Sequence, residues 1–199
     1  MAESPSLPRI APLEPPFDEE SAAAVEALGP PIGLFRLLAR RPDRARGIQG
    51  WGRYYLSRRS ALSLRHRELA IHRTTALCGA EYEWGVHVAV FAEKAGFTQA
   101  QIHSLATGDA EDACWTDPGD RAVLRAADSL HVNSDLDDAE WRELRDALGE
   151  DEVVDLLLLC GWYHAISYVA RAVRLPLEPE RPPFPVASDG GAGLPRLSR

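Results

Sequence analysis

Residues 65–97 read RHRELAIHRTTALCGAEYEWGVHVAVFAEKAGF, and this stretch decides the fold class. It carries two acid–imidazole pairs, Glu68 with His72 and Glu83 with His87, each four residues apart. Side chains at i and i+4 share one face of an α-helix, so the spacing predicts helices over 65–78 and 81–95. Glu83 and His87 lie in the first two turns of the second helix, where the positive helix end favours an ionised carboxylate. A carboxylate beside an imidazole is a proton-transfer pair, because the acid orients the ring and the ring titrates near neutrality. On spacing alone, each pair also fits a solvated ion pair worth well under ~1 kcal/mol.

Outward from this stretch the punctuation stays helical. Asp117-Pro118-Gly119-Asp120 places a capping acid before a proline at the first helical position. Thr98 with Gln101, and Asp137 with Glu140, read as capping boxes. Gly96 and Gly149 sit where helices should end. Further helices are expected over 18–28, 31–39, 42–57, 99–107, 118–132, 137–147 and 151–173. No segment alternates polar and apolar residues long enough to predict a strand. The expected fold is all-α, with one helical domain over 17–175. An arm at 1–16 carries five prolines, and a Pro/Gly-rich tail at 176–199 should be loose after Pro185, since proline removes helix donors and glycine is costly to order.

The chain has 199 residues, 45% hydrophobic and 26% charged, the balance of a globular protein. Its formal charge of −8 argues against a nucleic-acid partner, which would need a basic surface for phosphates. Cys78, Cys114 and Cys160 are odd in number and widely spaced, so neither a disulfide framework nor a zinc site is expected. The first residues lack the basic and apolar regions of an export signal, and the apolar run 153–163 carries Asp155 and is short of the ~20 residues of a membrane span. A cytoplasmic protein with no membrane partner is expected. The same run, apolar nearly all round, predicts a helix central in the core or at a subunit interface, hence a homotrimer or hexamer.

Glu68, then Ala80, Glu83 and His87, ending at Ala95-Gly96, resembles in order and spacing the alkylhydroperoxidase D-like / carboxymuconolactone decarboxylase family. The similarity extends to Trp51 and Tyr55, to residues 120–130, and to the last helix with Tyr163 and its exit at 173–178. The resemblance implies an all-α fold, a homo-oligomer, no metal and no organic cofactor. Peroxidase members of the family carry Cys-x-x-Cys, but this chain has Ala80 and Glu83 at those positions, and Cys78 is about 200° off around the helix. A methyl and a carboxylate can neither attack an O–O bond nor resolve a sulfenic acid. The acid and base carry over as Glu68 and His87, and Glu83 adds a second carboxylate whose neighbour and burial should raise one pKa. The expected activity is acid/base chemistry by Glu68, Glu83 and His87 on a small carboxylated or carbonyl substrate: decarboxylation, isomerisation or lactone chemistry. A thiol peroxidase or a non-catalytic ligand binder is the alternative.

Substrate contacts are expected from Tyr82, which precedes Glu83, and from Trp51 and Tyr55, although aromatic stripes at helical spacing also fit plain core packing. Residues 36–73 hold eleven arginines and two acids. Arg65 and Arg73, nearest the motif, are the candidates for gripping a substrate carboxylate, the rest fitting a solvated or ion-paired face. The single lysine, Lys94, sits at an expected exposed helix end, which disfavours Schiff-base chemistry.

Overall fold

The computed structural model describes residues 7–186. Among these are nine helices and no strand: α1 (Glu19–Leu28), α2 (Gly33–Leu38), α3 (Pro42–Tyr55), α4 (Leu64–Leu77), α5 (Glu81–Phe91), α6 (Gln99–Thr107), α7 (Pro118–Asn133), α8 (Asp138–Ala147) and α9 (Glu150–Val173). The predicted caps do the work assigned to them. Asp117 accepts from the Asp120 amide with Pro118 in the first turn, and both capping boxes close. Most ends fall within two residues of expectation, and two glycines act differently from their expected role. The second motif helix ends at Phe91 and reaches the left-handed Gly96 (φ 73°) through turns, and Gly149 starts α9 rather than ending α8, which Leu148 closes.

α4 is the hub, packed against α5, α6, α7 and α9. Every residue from Arg67 to Ala76 is buried, six of them polar. A helix enclosed on all sides has no solvent face, so its polar groups must find partners inside the protein. Around it, Leu69, Ile71, Trp84, Leu105, Trp115, Leu124, Leu144, Leu156 and Leu159 form the main core. α9 is longer than its apolar run and passes the length and composition test for a membrane span, but half of its most apolar window is buried in the bundle. Asp155 breaks that run for a structural reason: it accepts from Ser60 Oγ (2.9 Å), the Ala61 amide (2.7 Å) and Tyr54 Oη (3.0 Å), fixing the loop that leads into α4.

Much of the arginine excess ties down backbone. Arg36 and Arg40 donate to the carbonyls of Leu13 and Ala11, which seats the N-terminal arm, and Arg44 covers the last carbonyls of α2. The C-terminal segment is seated as far as Phe184. Glu178 Oε1 accepts from the Gly33 amide (2.5 Å) and supplies the cap that α2 lacks in its own sequence. Further on, the Phe184 amide donates to Glu81 Oε1 (2.9 Å) and its ring meets Trp84 (5.4 Å). A Cβ at Gly85 would stand 2.6 Å from the Pro182 carbonyl oxygen, so glycine is what admits the chain this close to α5. Apart from Val186, the tail after Pro185 lies outside the described residues.

Candidate active site

α4 and α5 form a hairpin around Gly79, whose left-handed backbone (φ 64°) lets the Gly79 and Ala80 amides return to Ala76 and Thr75. Glu68 and His87 lie eleven and eight residues from that glycine, so helical rise brings them to within ~5 Å of the same level. They meet: His87 Nδ1–H donates to Glu68 Oε2 at 3.0 Å, with Glu68 wholly buried and His87 4% exposed. The other imidazole nitrogen, Nε2, lies 3.0 Å from Tyr163 Oη of α9. The opposite carboxylate oxygen, Glu68 Oε1, accepts from Arg67 Nε and Nη2, both at 2.9 Å. Arg67 also donates to the Tyr55 carbonyl. Four buried groups, Arg67, Glu68, His87 and Tyr163, thus form one hydrogen-bonded chain.

Burial by itself would raise the Glu68 carboxyl. The His87 imidazole, its hydrogen bond and the Arg67 guanidinium outweigh burial and hold Glu68 below the usual carboxylate range. An ionised Glu68 keeps the proton on His87 Nδ1, and Nε2 is then free to accept from the Tyr163 hydroxyl. Burial raises Tyr163 well above an ordinary phenol, so it stays protonated. His72, the expected second partner of Glu68, instead donates from Nδ1 to the Glu68 carbonyl at 2.6 Å; desolvation pushes it down to about 4 and it stays neutral.

Glu83 is 4% exposed, and its Oε1 has no hydrogen-bond partner. Desolvation, opposed only by His87, pushes its carboxyl up to about 7. Glu83, His87 and Tyr163 all line one cavity of about 460 Å³ whose other walls are mostly apolar, including Leu34, Phe35, Ile48, Val86, Phe91 and Trp162. The two carboxylates have therefore separated in character. One is paired and ionised, and the other is solitary and poised near neutrality.

Of the expected substrate contacts, Tyr55 lines the cavity, and burial pushes its hydroxyl up to about 12. Trp51 lies outside it, half-exposed and stacked on Trp162 at 5.5 Å. Tyr82 is a structural tie: its hydroxyl donates to Glu178 (2.6 Å) and accepts from the Leu34 amide (2.9 Å), and it does not reach the cavity. Neither Arg65 nor Arg73 is free for substrate. Arg65 forks onto Asp120 and covers the Ala95 and Gly96 carbonyls, while Arg73 forks onto Asp128 and holds the Leu105 and Gly108 carbonyls. Two other arginines line the cavity, Arg53 of α3 and Arg181 of the C-terminal segment, and Arg181 has a buried Nε with no partner. Sequence reasoning missed Arg67, Tyr163 and Arg181 as site residues. Only Tyr163 had a signal, as a polar tip on an otherwise apolar helix.

The fold and this constellation define an all-α protein with a buried acid–imidazole site on a helical hairpin. Residues 42–129 match the model of the carboxymuconolactone decarboxylase family. This match, over 88 of the 199 residues, supports a relationship to the carboxymuconolactone decarboxylase family, and this chain carries Ala80 and Glu83 in place of a Cys-x-x-Cys pair. An uncharacterised peroxidase-related protein from Silicibacter sp. TM1040 superposes with a TM-score of 0.75 at 17% identity, covering 91% of this chain and 97% of that one. A protein of unknown function from Agrobacterium tumefaciens, suggested to be an antioxidant defence protein AhpD, gives 0.63 at 19% identity, covering 71% and 94%. At such identities the likeness concerns the fold. No curated protein matches the chain significantly.

Proposed function

We propose that this protein is a proton-transfer enzyme for a small, largely apolar carbonyl or carboxylated substrate, catalysing decarboxylation, isomerisation or lactone chemistry. The observation that carries this reading is Glu83: a buried carboxyl with an unpartnered oxygen, pushed up to about 7, in one cavity with Tyr163 and His87. At neutral pH Glu83 populates both protonation states, which suits a group that must take and return a proton. As a base, Glu83 removes a proton next to a carbonyl, and the electron pair of that C–H bond moves onto the carbonyl oxygen. When His87 carries a proton on Nε2 it donates to Tyr163, whose own O–H is released to stabilise the oxyanion. Glu68 stabilises the imidazolium. The proton then returns from Glu83 to a different carbon. For a carboxylated substrate the bond to carbon dioxide breaks instead, and protonated Glu83 quenches the carbanion. Arg181 supplies a charge for a substrate carboxylate.

A thiol peroxidase would need a thiolate at this cavity, and no cysteine lines it. Burial, opposed by the neighbouring Ser167 hydroxyl and Arg171, raises the Cys78 thiol and keeps it protonated. The test is a neutral-pH panel of carboxylated lactones, β-keto acids and apolar ketones, following carbon dioxide release and deuterium uptake from solvent. Turnover on at least one class is expected, and replacing Cys78, Cys114 and Cys160 by Ser should leave it within about tenfold apart from stability losses. Peroxide consumption coupled to a dithiol would overturn the reading, as would saturable binding with no exchange anywhere in the panel.

We further propose that the enzyme works in the cytoplasm as a homotrimer or hexamer. Val154, Leu158 and Tyr168 leave an exposed apolar stripe along α9, which supports a covered face. Sedimentation at micromolar concentration should give a stable oligomer, and a monomer there would contradict it.

A further inference from the structure

Away from the acid–base cavity, three side chains from distant parts of the sequence converge. Cys78 closes α4, His131 stands in the last turn of α7, and His164 lies two-thirds of the way along α9. His131 Nδ1 is 2.9 Å from His164 Nε2 and 4.0 Å from Cys78 Sγ, and the three donor atoms all lie within 4.8 Å of one another. We infer that these residues form a binding site for a divalent cation of the zinc class, with Cys78, His131 and His164 as its three protein ligands.

The arrangement of protons around the cluster fits that role. His164 Nδ1–H donates to the Cys160 carbonyl at 2.8 Å, one turn back on its own helix. That bond fixes the tautomer and leaves the Nε2 lone pair facing the other two donors, which is how metal-bound histidines are oriented. Without a cation, a single proton on His131 Nδ1 bridges the two rings. A cation moves the His131 proton from Nδ1 to Nε2 and displaces the thiol proton of Cys78, so one proton is released to solvent.

The spacing is close to what a tetrahedral ion requires. Zinc bonds of ~2.0–2.1 Å to nitrogen and ~2.3 Å to sulfur place tetrahedral ligand atoms ~3.3 Å (N···N) and ~3.6 Å (S···N) apart. The two rings must open and the sulfur close on His131 by ~0.4 Å each, and the sulfur must close on His164 from within 4.8 Å, movements that side-chain rotations supply. Two imidazoles and one thiolate suit Zn²⁺, or Co²⁺ as its spectroscopic substitute, rather than Mg²⁺ or Ca²⁺. Cys78 is buried but both histidines are only half-buried, so a fourth position can hold water. The nearby cations are engaged elsewhere: Arg171 donates to the Cys78 carbonyl and Arg73 is paired with Asp128.

The test is titration of the chelator-treated, full-length protein with Co²⁺, followed by zinc competition. One ion per chain is expected, at about 1 µM or tighter, with a tetrahedral visible spectrum and a near-ultraviolet thiolate-to-cobalt band. Cys78→Ser should remove the thiolate band, and His131→Asn or His164→Ala should weaken binding at least about a hundredfold. Glu83→Gln should bind as the wild type does, which separates this site from the acid–base cavity. Because a ligand variant can fail to fold, X-ray absorption of the zinc-loaded wild type gives a second reading: one sulfur and two imidazole nitrogens in the coordination sphere. No binding at about 100 µM, a spectrum unchanged by Cys78→Ser, or a zinc sphere without sulfur would overturn the inference.

Discussion

Replacing Glu68 by Ala is expected to destabilise the fold by about 3–5 kcal/mol, since it strands the buried guanidinium of Arg67 without its carboxylate. Urea denaturation followed by circular dichroism measures this directly. Glu68→Gln separates the structural role from the chemical one. The amide oxygen can still accept from Arg67, but its NH₂ must then face His87 Nδ1 and force the proton onto Nε2. His87 then loses both its fixed tautomer and the charge that stabilises it as an imidazolium. The glutamine variant should keep most of the lost stability while turnover falls by two or more orders of magnitude. A Glu68→Gln enzyme with wild-type turnover would reduce the Arg67–Glu68–His87–Tyr163 chain to scaffolding.

Glu83→Gln should remove turnover by about 10²–10⁴-fold and, above neutral pH, make the protein more stable. The folded-state pKa of Glu83 stands at about 7 against an ordinary value of 4.5, so the folded state holds the proton more tightly than the unfolded one. Its contribution is fully present below pH ~4.5 and is lost as pH rises through ~7, a loss of about 3 kcal/mol. Glutamine mimics the protonated acid and never incurs that loss. The variant should therefore match the wild type near pH 4.5 and exceed it progressively up to pH 7–8. His72 acts in the opposite sense. Its pKa, lowered from 6.5 to about 4, means stability is lost as pH falls from ~6.5 through ~4. In the wild type the two slopes largely cancel across the mildly acidic range. In Glu83→Gln the His72 slope should stand alone. Equal stabilities of the two proteins at pH 8 would mean that Glu83 is not desolvated.

The helices were legible because their ends are written locally. Asp117-Pro118, Thr98 with Gln101 and Asp137 with Glu140 each satisfy amides within three residues, and no distant partner is needed. The meeting of Glu68 with His87 was legible for a similar reason, since a hairpin with one left-handed glycine brings positions about equally far from the turn to one level. What stayed hidden depends on sequence separations that no local pattern encodes. Arg67 looked like one more basic residue among eleven, because α4 lacks the polar face that normally betrays a surface arginine. Arg65 and Arg73 looked free because Asp120 and Asp128 lie 55 residues away. Tyr82 looked aimed at substrate because it directly precedes Glu83, while Glu178, its acceptor, lies 96 residues away in the Pro/Gly-rich C-terminal segment. Proline excludes helix but does not prevent docking. The same segment carries Arg181 into the cavity through the gap left by Gly85.

The proton-transfer site is tested most directly by titrating Glu83 itself. Carboxyl-carbon NMR of protein labelled at glutamate, compared between wild type and Glu83→Gln, isolates this resonance from the others. One carboxyl titrating near pH 7 and missing from the variant is the predicted result. A Glu83 signal that titrates in the ordinary range near 4.5 would contradict a desolvated acid poised for catalysis, and with it the proposed role of the cavity.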